Sequence, residues 1–339
     1  MTSDKTSFIT LPELLERFGL IDDACLLVAE KYPFRITSFY AGLIKYPFDP
    51  LWIQSIPSTD ELKDCLQPND PLDETRLSPV PGVIHRYPDR AVLLASNRCA
   101  MYCRFCMRKR QVGRTDPGLC LDDAINYLAE TPEIKDVLVS GGDPLVLEPD
   151  LLERILGSIR KIRHVEIIRI GSRVPVVAPS LITDELCRML ASHHPLYLNT
   201  HFNHPLEITP DSAAACTRLA DAGIPLGNQT VLLKGVNDSA DVLSSLFSGL
   251  LRIRVRPYYL HQMDLVKGTF HFRTPLSAGL GIINALRGKV SGMAIPHFCV
   301  DLQGGRGKVS LLPSAATEKG EGVWEIVAPD GKVVQYKDP

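Results

Sequence analysis

The sequence predicts an α/β protein, a partial (β/α)6 TIM-like barrel with an N-terminal helical layer and a C-terminal hairpin. The main observation is that short apolar runs alternate with longer segments of helical spacing, which is typical of parallel βαβ units. The predicted strands are 91–96, 135–140, 165–170, 196–200, 225–233 and 254–260. The predicted helices between them include 121–130, 149–162, 182–193 and 210–222. Six such units indicate a barrel or a partial barrel.

The two ends of the chain depart from this alternation. Helical pieces near 11–31 and 58–66 are broken by proline-rich connections, which predicts a layer packed on the barrel. Near the C-terminus, two alternating runs flank Asp330 and Gly331, a pair that is typical of a hairpin turn. The predicted regions are an N-terminal helical region at 1–85, the barrel at 86–296, and a C-terminal loop and hairpin at 297–339.

Composition excludes several classes of protein. The 339 residues carry 37 Lys and Arg against 39 Asp and Glu, a formal net charge of −2, which argues against a nucleic-acid-binding surface. The chain starts without the basic and apolar segments of a leader, and no apolar run approaches the ~18 residues of a membrane span. Nine cysteines, an odd count in a long chain, are unlike a secreted disulfide scaffold. A reducing, cytoplasmic location is therefore predicted.

Cys99, Cys103 and Cys106 form a Cys-x3-Cys-x2-Cys motif directly after the first predicted barrel strand. Three thiolates on a short loop can bind three irons of a four-iron four-sulfur cluster and leave the fourth iron open for catalysis. The alternative is a structural zinc site or chance clustering, but zinc sites usually need four ligands in two pairs, and no second pair lies nearby. The other six cysteines lack ligand spacing and are expected to behave as small apolar residues: Cys25, Cys65, Cys120, Cys187, Cys216 and Cys299.

Two further motifs indicate cofactor contacts. Ser140-Gly141-Gly142-Asp143 ends the second predicted strand, where small residues admit a ligand close to the backbone and a carboxylate complements an ammonium group. Lys308 follows a glycine-rich loop in LQGGRGK, and a lysine there can form a Schiff base with pyridoxal phosphate. Considered alone, the first motif is more often an ordinary strand-to-helix turn, and the second is more often a solvated lysine on a flexible loop.

Together these segments resemble the lysine 2,3-aminomutase family of the radical S-adenosylmethionine superfamily. The resemblance runs in family order from IPSTDEL at 56–62 to the C-terminus, through HRYPDR, SGGDPL, NTHFNHPLEIT and GGRGK, and it fades over residues 1–55. It implies a four-iron four-sulfur cluster on the three cysteines and S-adenosylmethionine at the glycine pair. It also implies pyridoxal 5'-phosphate held as an internal aldimine on Lys308, the catalytic lysine.

The resemblance also implies individual contacts. Arg86, Tyr87 and Arg90 match a family segment near the phosphate and ring of pyridoxal phosphate, and Gln229 is assigned to cofactor binding. Near the substrate, Arg108 matches the arginine that pairs with the substrate carboxylate.

Two acids at the expected positions, Asp264 and Asp301, match the aspartates that hold the distal ammonium of lysine. Without the resemblance, each would be interpreted as a surface carboxylate, which is the commoner location of an aspartate. Together they favour a substrate with a cationic side chain over glutamate, whose negative charge they would repel.

The implied activity is that of an isomerase converting L-lysine to β-lysine by radical 1,2-amino migration, started by a 5'-deoxyadenosyl radical. Three alternatives stay open: a β-lysine-forming enzyme that serves elongation factor P, a glutamate 2,3-aminomutase, and a non-enzymatic iron-sulfur protein. The implied partners are a small amino acid and an electron donor such as flavodoxin or ferredoxin. Membrane and nucleic-acid partners are not expected, and a homo-oligomer is left open.

Two positions depart from the family pattern. Ser239 stands where fermentative members have a zinc-binding cysteine, so no structural zinc is expected. His261 stands where the family typically has tyrosine, which makes the substrate less securely predicted than the reaction class.

Overall fold

The computed structural model describes residues 7–64, 67–114, 120–312, 316–320, 323–328 and 331–337. A layer of short helices with one small antiparallel strand pair comes first along the chain. Its elements are β1 (Phe8–Ile9), α1 (Leu11–Glu16), α2 (Asp23–Lys31), β2 (Ile36–Thr37), α3 (Ser38–Leu43), α4 (Pro50–Ser55) and α5 (Asp60–Lys63). The helical segment predicted at 11–31 is divided after α1, where Gly19 has a φ of 66°. That left-handed conformation is typical of helix ends.

The centre of the fold is one nine-stranded sheet in which β11 and β3 are the edges. Its strands are β3 (Val83–Tyr87), β4 (Arg90–Ser96), β5 (Asp136–Gly141), β6 (Ile167–Gly171), β7 (Leu196–Thr200), β8 (Leu226–Leu232), β9 (Arg256–Gln262), β10 (His297–Leu302) and β11 (Gly307–Ser310). Strands β4 to β10 are parallel, and the two edge strands are antiparallel. The six predicted strands are β4 to β9, so the predicted partial barrel is confirmed.

Helices connect the parallel strands. They are α6 (Leu121–Glu130), α7 (Pro149–Arg160), α8 (Val174–Val177), α9 (Asp184–Ala191), α10 (Pro210–Asp221), α11 (Ala240–Arg252) and α12 (Leu276–Leu286). In α7 the buried residues Leu152, Ile155, Leu156 and Ile159 recur at intervals of three and four, so they form one stripe facing the core. Each such side chain contributes about 1.5–3 kcal/mol when fully buried. No helix in the described ranges has the length and apolar character needed to cross a bilayer.

The barrel sheet continues beyond residue 296, into the region predicted as a separate loop and hairpin. Strand β10 pairs in parallel with β9, and β11 folds back on it so that Asp301 lies opposite Lys308. The glycine-rich loop is therefore a turn between two strands of the barrel sheet.

A separate three-stranded antiparallel sheet follows. It consists of β12 (Ala316–Gly320), β13 (Val323–Val327) and β14 (Val333–Lys337). The predicted hairpin corresponds to β13 and β14, which pair throughout their length. Of its predicted turn, Asp330 lies outside the described residues, whereas Gly331 has the expected positive φ of 85°.

Candidate active site

The motifs found in the sequence lie at the carboxyl ends of the parallel strands. The cysteine loop follows β4, the Ser140–Asp143 segment ends β5, and Asp264 follows β9. Loops at this end of a barrel face one common region, which is where barrel enzymes place their active sites. The sheet therefore brings to one face segments that are far apart in the sequence.

The three cysteines of the triplet are unpaired thiols, and none of them is exposed. Burial, the nearby Asp143 carboxylate and the other two sulfurs raise the pKa of Cys99 well above its usual value. Burial and Cys103 likewise raise the pKa of Cys106 to about 11. Three neighbouring sulfurs, one of which accepts a hydrogen bond from the Arg173 guanidinium, are a donor set suited to iron.

No three His, Cys, Asp or Glu side chains among the described residues converge as a preformed site for a single metal ion. A four-iron four-sulfur cluster does not require such a point, because it bonds each thiolate to a different iron. The triplet therefore fits the cluster by its chemistry and its placement on one loop.

The glycine pair at the end of β5 lies against the start of the cysteine loop. A Cβ atom on Gly141, whose φ is 126°, would lie 2.2 Å from the Ser96 carbonyl oxygen. A Cβ atom on Gly142 would lie 2.2 Å from the Arg98 carbonyl oxygen. The Gly142 N–H donates to the Ser96 carbonyl, and the half-buried Ser140 precedes the pair in β5. Larger side chains would push the cysteine loop away from β5.

Asp143 is nearly fully buried, at 4% exposed, and its carboxylate already accepts three hydrogen bonds from the protein. The donors are the Ser172 hydroxyl at 2.7 Å, the Arg173 N–H at 2.7 Å and the Leu145 N–H at 3.0 Å. Burial raises the pKa of Asp143 despite these hydrogen bonds. In this arrangement Asp143 joins β5 to β6, and its assignment to a ligand ammonium stays a prediction.

Arg173 is a buried residue to which the sequence reading assigned no role. Its guanidinium donates from Nη1 to the Cys103 Sγ at 2.7 Å and from Nη2 to Glu207 Oε1, also at 2.7 Å. It also donates from Nη2 to Gln54 Oε1 at 2.8 Å and from Nε to the His201 carbonyl at 3.1 Å. One side chain thus connects the cysteine loop, the barrel and the N-terminal layer. Arg173 ends the segment IGSR at 170–173, and nothing in that segment alone predicts its contacts with Cys103, Glu207 and Gln54.

The N-terminal layer also holds the cysteine loop through a buried ion cluster. The Glu61 carboxylate accepts from Arg104 Nη2 at 2.6 Å and Nε at 2.9 Å, and from Lys109 Nζ at 2.6 Å. Burial and the neighbouring Arg104 lower the pKa of Lys109 to about 8, although Glu61 opposes this shift. Removing one partner of a buried ion pair typically costs about 3–5 kcal/mol. The cluster therefore fixes the loop on both sides of its third cysteine, Cys106.

Lys308 lies at the centre of a group of polar side chains on β3, β9, β10 and β11. Its Nζ donates to the Asp301 carboxylate and lies 3.1 Å from the His261 Nδ1 atom. Its backbone N–H donates to the Tyr87 hydroxyl at 2.8 Å. Gly307, with a φ of 97°, lets the chain approach Tyr87, because a Cβ atom there would lie 3.3 Å from that hydroxyl. The turn thereby places Lys308 in the barrel sheet, beside Tyr87.

Next to this lysine, Arg86 has an unused donor. Its Nη1 lies 3.5 Å from Asp301 Oδ1, whereas its Nε is buried and makes no hydrogen bond. A buried guanidinium N–H without an acceptor fits an anionic group such as a phosphate. Arg90 is different: it is about half exposed, pairs with Asp89 at 2.8 Å and lies over the Tyr87 ring at 4.8 Å. The lysine, the tyrosine and Arg86 together fit pyridoxal phosphate.

Arg108 donates most of its hydrogen bonds to Glu74, a carboxylate that the sequence analysis does not predict as its partner. Its Nε and Nη2 donate to Glu74 at 2.8–3.2 Å, and Glu74 also accepts from Arg110 at 3.0 Å. Burial alone would raise the pKa of Glu74, but the two guanidinium groups hold it below its usual value. The remaining Nη1 of Arg108 lies 3.4 Å from the Gly141 carbonyl, close to the glycine pair. That nitrogen is the part of Arg108 best placed to meet a ligand.

The two predicted substrate aspartates have opposite electrostatic states. Burial and the charge of Asp301 raise the pKa of Asp264 to about 7. Burial acts in the same direction on Asp301, but His261 and Lys308 outweigh it and lower the pKa of Asp301 far below its usual value. The site therefore contains one acid whose ionised form is favoured and one whose neutral form is favoured. Gln229 lies farther along the sheet, half-buried in β8.

Comparisons with known proteins show the family of the chain. Residues 93–245 match the model of the Radical SAM superfamily. The chain is 49% identical to an L-lysine 2,3-aminomutase of Fusobacterium nucleatum over 90% of this chain and 73% of that protein. It is 49% identical to the enzyme of the same name from Clostridium subterminale, over 90% of this chain and 74% of that one.

A third relative is a glutamate enzyme. The chain is 45% identical to a glutamate 2,3-aminomutase of Clostridioides difficile over 92% of this chain and 75% of that protein. Among solved structures, a radical SAM methyltransferase from Sphaerobacter thermophilus has a TM-score of 0.45 and 16% identity, covering 65% of this chain and 68% of that one.

A partial barrel with a three-cysteine loop after its first parallel strand defines a radical S-adenosylmethionine enzyme, a class that uses a four-iron four-sulfur cluster and S-adenosylmethionine. Within that class, the chain belongs to the lysine 2,3-aminomutase family. It is accordingly an isomerase that moves an amino group within its substrate.

Proposed function

We propose that this enzyme converts L-lysine to L-β-lysine by moving the amino group from C2 to C3. The observation that carries this choice of substrate is the pair of buried acids, Asp264 and Asp301, beside Lys308. In the described structure an ammonium group, that of Lys308 itself, already lies against Asp301. A second ammonium at the end of a lysine side chain would have both acids available, whereas the carboxylate of glutamate would be repelled.

The remaining roles follow from the positions of the side chains. Cys99, Cys103 and Cys106 would hold the cluster, with S-adenosylmethionine against Ser140, Gly141, Gly142, Asp143 and Gln229, and pyridoxal phosphate on Lys308 beside Arg86, Tyr87 and Arg90. When bound, these cofactors supply the organic radical and the electron-accepting imine that the migration requires.

The chain itself positions the substrate. The Nη1 of Arg108, which also donates a long hydrogen bond to the Gly141 carbonyl at 3.4 Å, would orient the substrate carboxylate at one end, and the two aspartates would orient the ammonium at the other. Fixing both ends holds a single C–H bond in reach of the radical, which is the main protein contribution to such chemistry.

A direct comparison of substrates tests the choice of lysine. The reconstituted, anaerobically reduced enzyme is expected to form β-lysine from L-lysine and to leave L-glutamate unchanged, as measured by chromatography of the amino acids. Asp264→Asn is expected to lower kcat/KM for lysine about tenfold to a hundredfold, the cost of one charge-assisted hydrogen bond.

Asp221→Asn is the matched control, because Asp221 is an exposed acid on α10 that pairs with Arg254. Faster turnover of glutamate than of lysine would contradict the proposal and support the glutamate alternative. Formation of β-lysine serves equally for free lysine metabolism and for elongation factor P, so the assay identifies the reaction and not its cellular use.

We also propose a docking surface for an acidic electron-transfer protein, such as a flavodoxin or ferredoxin. Among the residues that the structure describes, a cavity of about 320 Å³ is lined by five cationic side chains and no acidic one: Lys31, Lys109, Arg110, Arg114 and Lys267, with Tyr32, Asn69 and Val266. It shares Tyr32 and Lys109 with a neighbouring small pocket lined by Cys103 and Cys106. Lys109 and Arg110 are ion-paired with Glu61 and with Asp70 and Glu74, so the positive charge available to a partner comes from Lys31, Arg114 and Lys267. In a chain of net charge −2, this local positive charge next to the cysteine loop favours an acidic partner.

Charge reversal tests this surface. Lys31→Glu combined with Lys267→Glu is expected to slow cluster reduction by a reduced flavodoxin about tenfold or more at low salt, and the difference is expected to shrink as salt is added. Reduction by dithionite, a small reagent that needs no docking surface, is expected to stay unchanged. Stopped-flow absorbance measures both rates. Equal flavodoxin rates for the variant and the unmodified enzyme would contradict the proposal.

A further inference from the structure

His261 lies between the two partners of the strongest ion pair in the site. Its Nδ1 atom is 3.1 Å from Lys308 Nζ and 3.4 Å from Asp301 Oδ2, and the same Asp301 oxygen accepts from Lys308. The three residues come from three adjacent strands, β9, β10 and β11. The sheet therefore fixes a compact group in which each member contacts the other two.

The contacts of Nδ1 distinguish the two tautomers of this histidine. With Nδ1 unprotonated, it accepts from the Lys308 ammonium group at 3.1 Å, whereas with Nδ1 protonated it donates to Asp301 Oδ2 at the longer distance of 3.4 Å. The shorter contact favours the first tautomer. The proton of the neutral ring then resides on Nε2. That atom is buried and makes no hydrogen bond in the structure. The ring thus presents a basic lone pair to Lys308 and an unused donor on its other side.

We propose that His261 accepts a proton from the Lys308 ammonium group, with Asp301 as the counter-ion before and after the transfer. The N–H bond on Lys308 Nζ breaks, a new N–H bond forms on His261 Nδ1, and the electron pair stays on the lysine nitrogen. The transfer oxidises and reduces nothing. Its product is the neutral amine, which is the nucleophilic form of lysine. The proposal rests on the proposed role of Lys308 as the residue that binds a carbonyl cofactor.

The position of Asp301 makes this transfer possible within a buried site. If only Lys308 contacted the carboxylate, moving the proton would separate the ion pair at a large desolvation cost. Because Asp301 Oδ2 lies within 3.4 Å of His261 Nδ1 as well, the imidazolium that forms keeps its counter-ion. His261 is therefore a proton acceptor whose product state is already stabilised.

The surroundings of His261 keep the ring neutral before the transfer. Burial lowers its pKa, the charge of Lys308 acts in the same direction, and Asp301 opposes both. The other titratable and charged groups near the ring and its two partners are Tyr259, Cys299, Asp264, Arg86 and His201. A neutral imidazole is the form that can act as a base.

The rate at which Lys308 forms an imine measures the proposed function of His261. Enzyme prepared without pyridoxal phosphate is mixed with it, samples are reduced with borohydride at intervals, and the adduct on Lys308 is quantified by mass. Near neutral pH, His261→Gln is expected to slow adduct formation about 100-fold, the usual size of one general acid–base contribution. The difference in rate between His261→Gln and the unmodified enzyme is expected to become smaller as the pH rises, because the solvent then deprotonates the Lys308 amine.

Two controls separate this function from a loss of structure. His297→Gln changes an exposed histidine on neighbouring β10 and is expected to retain the rate of the unmodified enzyme. In His261→Ala, added imidazole is expected to restore part of the rate, which a purely structural role would not allow. An unchanged rate and pH profile in His261→Gln would overturn the inference.

A second reagent keeps the inference separate from the proposed function. Absence of any adduct on Lys308 in the unmodified enzyme would contradict the assignment of pyridoxal phosphate. In that case reductive methylation of Lys308 with formaldehyde and cyanoborohydride, again followed by mass, decides the role of His261. Equal methylation rates near pH 7 with and without His261 would overturn it, and slower methylation in His261→Gln would support it.

Discussion

Lys308→Ala is expected to eliminate both the bound pyridoxal phosphate and the aminomutase activity. The Lys308 amine is the group proposed to bond the cofactor, and its side chain also fills the position opposite Asp301. Activity is expected to fall at least about 1,000-fold, the range seen when a residue that bonds covalently to the reacting group is removed. Borohydride reduction followed by peptide mass spectrometry measures the cofactor, and chromatography measures β-lysine.

The variant is expected to remain folded, because the Lys308 side chain is 23% exposed and Asp301 keeps Arg86 and His261 nearby. Lys289→Ala is a suitable control, since Lys289 is exposed in the segment after α12. A Lys308→Ala protein that still isomerised lysine would exclude this lysine as the cofactor residue. A modified lysine at another position would do the same.

Cys103→Ala is expected to remove the iron-sulfur cluster and, with it, cleavage of S-adenosylmethionine. Cys103 is the central member of the triplet and the only one whose sulfur accepts a hydrogen bond from Arg173. Two remaining thiolates leave two irons without protein ligands, so iron content and the electron paramagnetic resonance of the reduced cluster are expected to disappear. Methionine release is expected to fall below about 1% of that of the unmodified enzyme.

Cys120→Ala is the matched control, because Cys120 is an exposed thiol that precedes α6 outside the triplet. In the Cys103 variant, Arg173 retains Glu207, Gln54 and the His201 carbonyl as acceptors, so a folded protein is expected by circular dichroism. An intact cluster in Cys103→Ala would show that this cysteine is not a ligand.

The sequence predicted the barrel well because its signals are local. Strands β4 to β9 are short apolar runs that can be recognised one at a time, and the cysteine and glycine motifs directly follow two of them. Strand β10 was placed outside the barrel, since its sequence HFCVDL mixes polar and apolar residues and leads into a glycine-rich loop. Only the pairing of β10 with β9 reveals that it belongs to the same sheet.

The contacts within the site depend on strand register and on segments distant in the sequence, and neither can be recognised in a single sequence. Asp301 meets Lys308 because the antiparallel register of β10 and β11 sets them opposite each other. Glu74 reaches Arg108 from a loop of the N-terminal region, and it lies in no recognisable motif. These partners change what the predicted residues can do. Arg108 has only Nη1, with its long contact to the Gly141 carbonyl, left to meet a ligand, and the Asp143 carboxylate already accepts three hydrogen bonds from the protein.

The hydrogen bonds of Arg173 connect the N-terminal layer directly to the cysteine loop. Tyr40 donates to Glu207 at 2.7 Å, and both Glu207 and Gln54 accept from the guanidinium that contacts Cys103. Tyr40 and Gln54 lie in α3 and α4, within the first 55 residues. An N-terminal segment exchanged between relatives would therefore have to carry a compatible hydroxyl and amide. Without them, Arg173 would lose Gln54 as an acceptor and Glu207 would lose the Tyr40 hydroxyl, so the ion pair beside Cys103 would keep fewer hydrogen bonds even if every apolar contact were preserved.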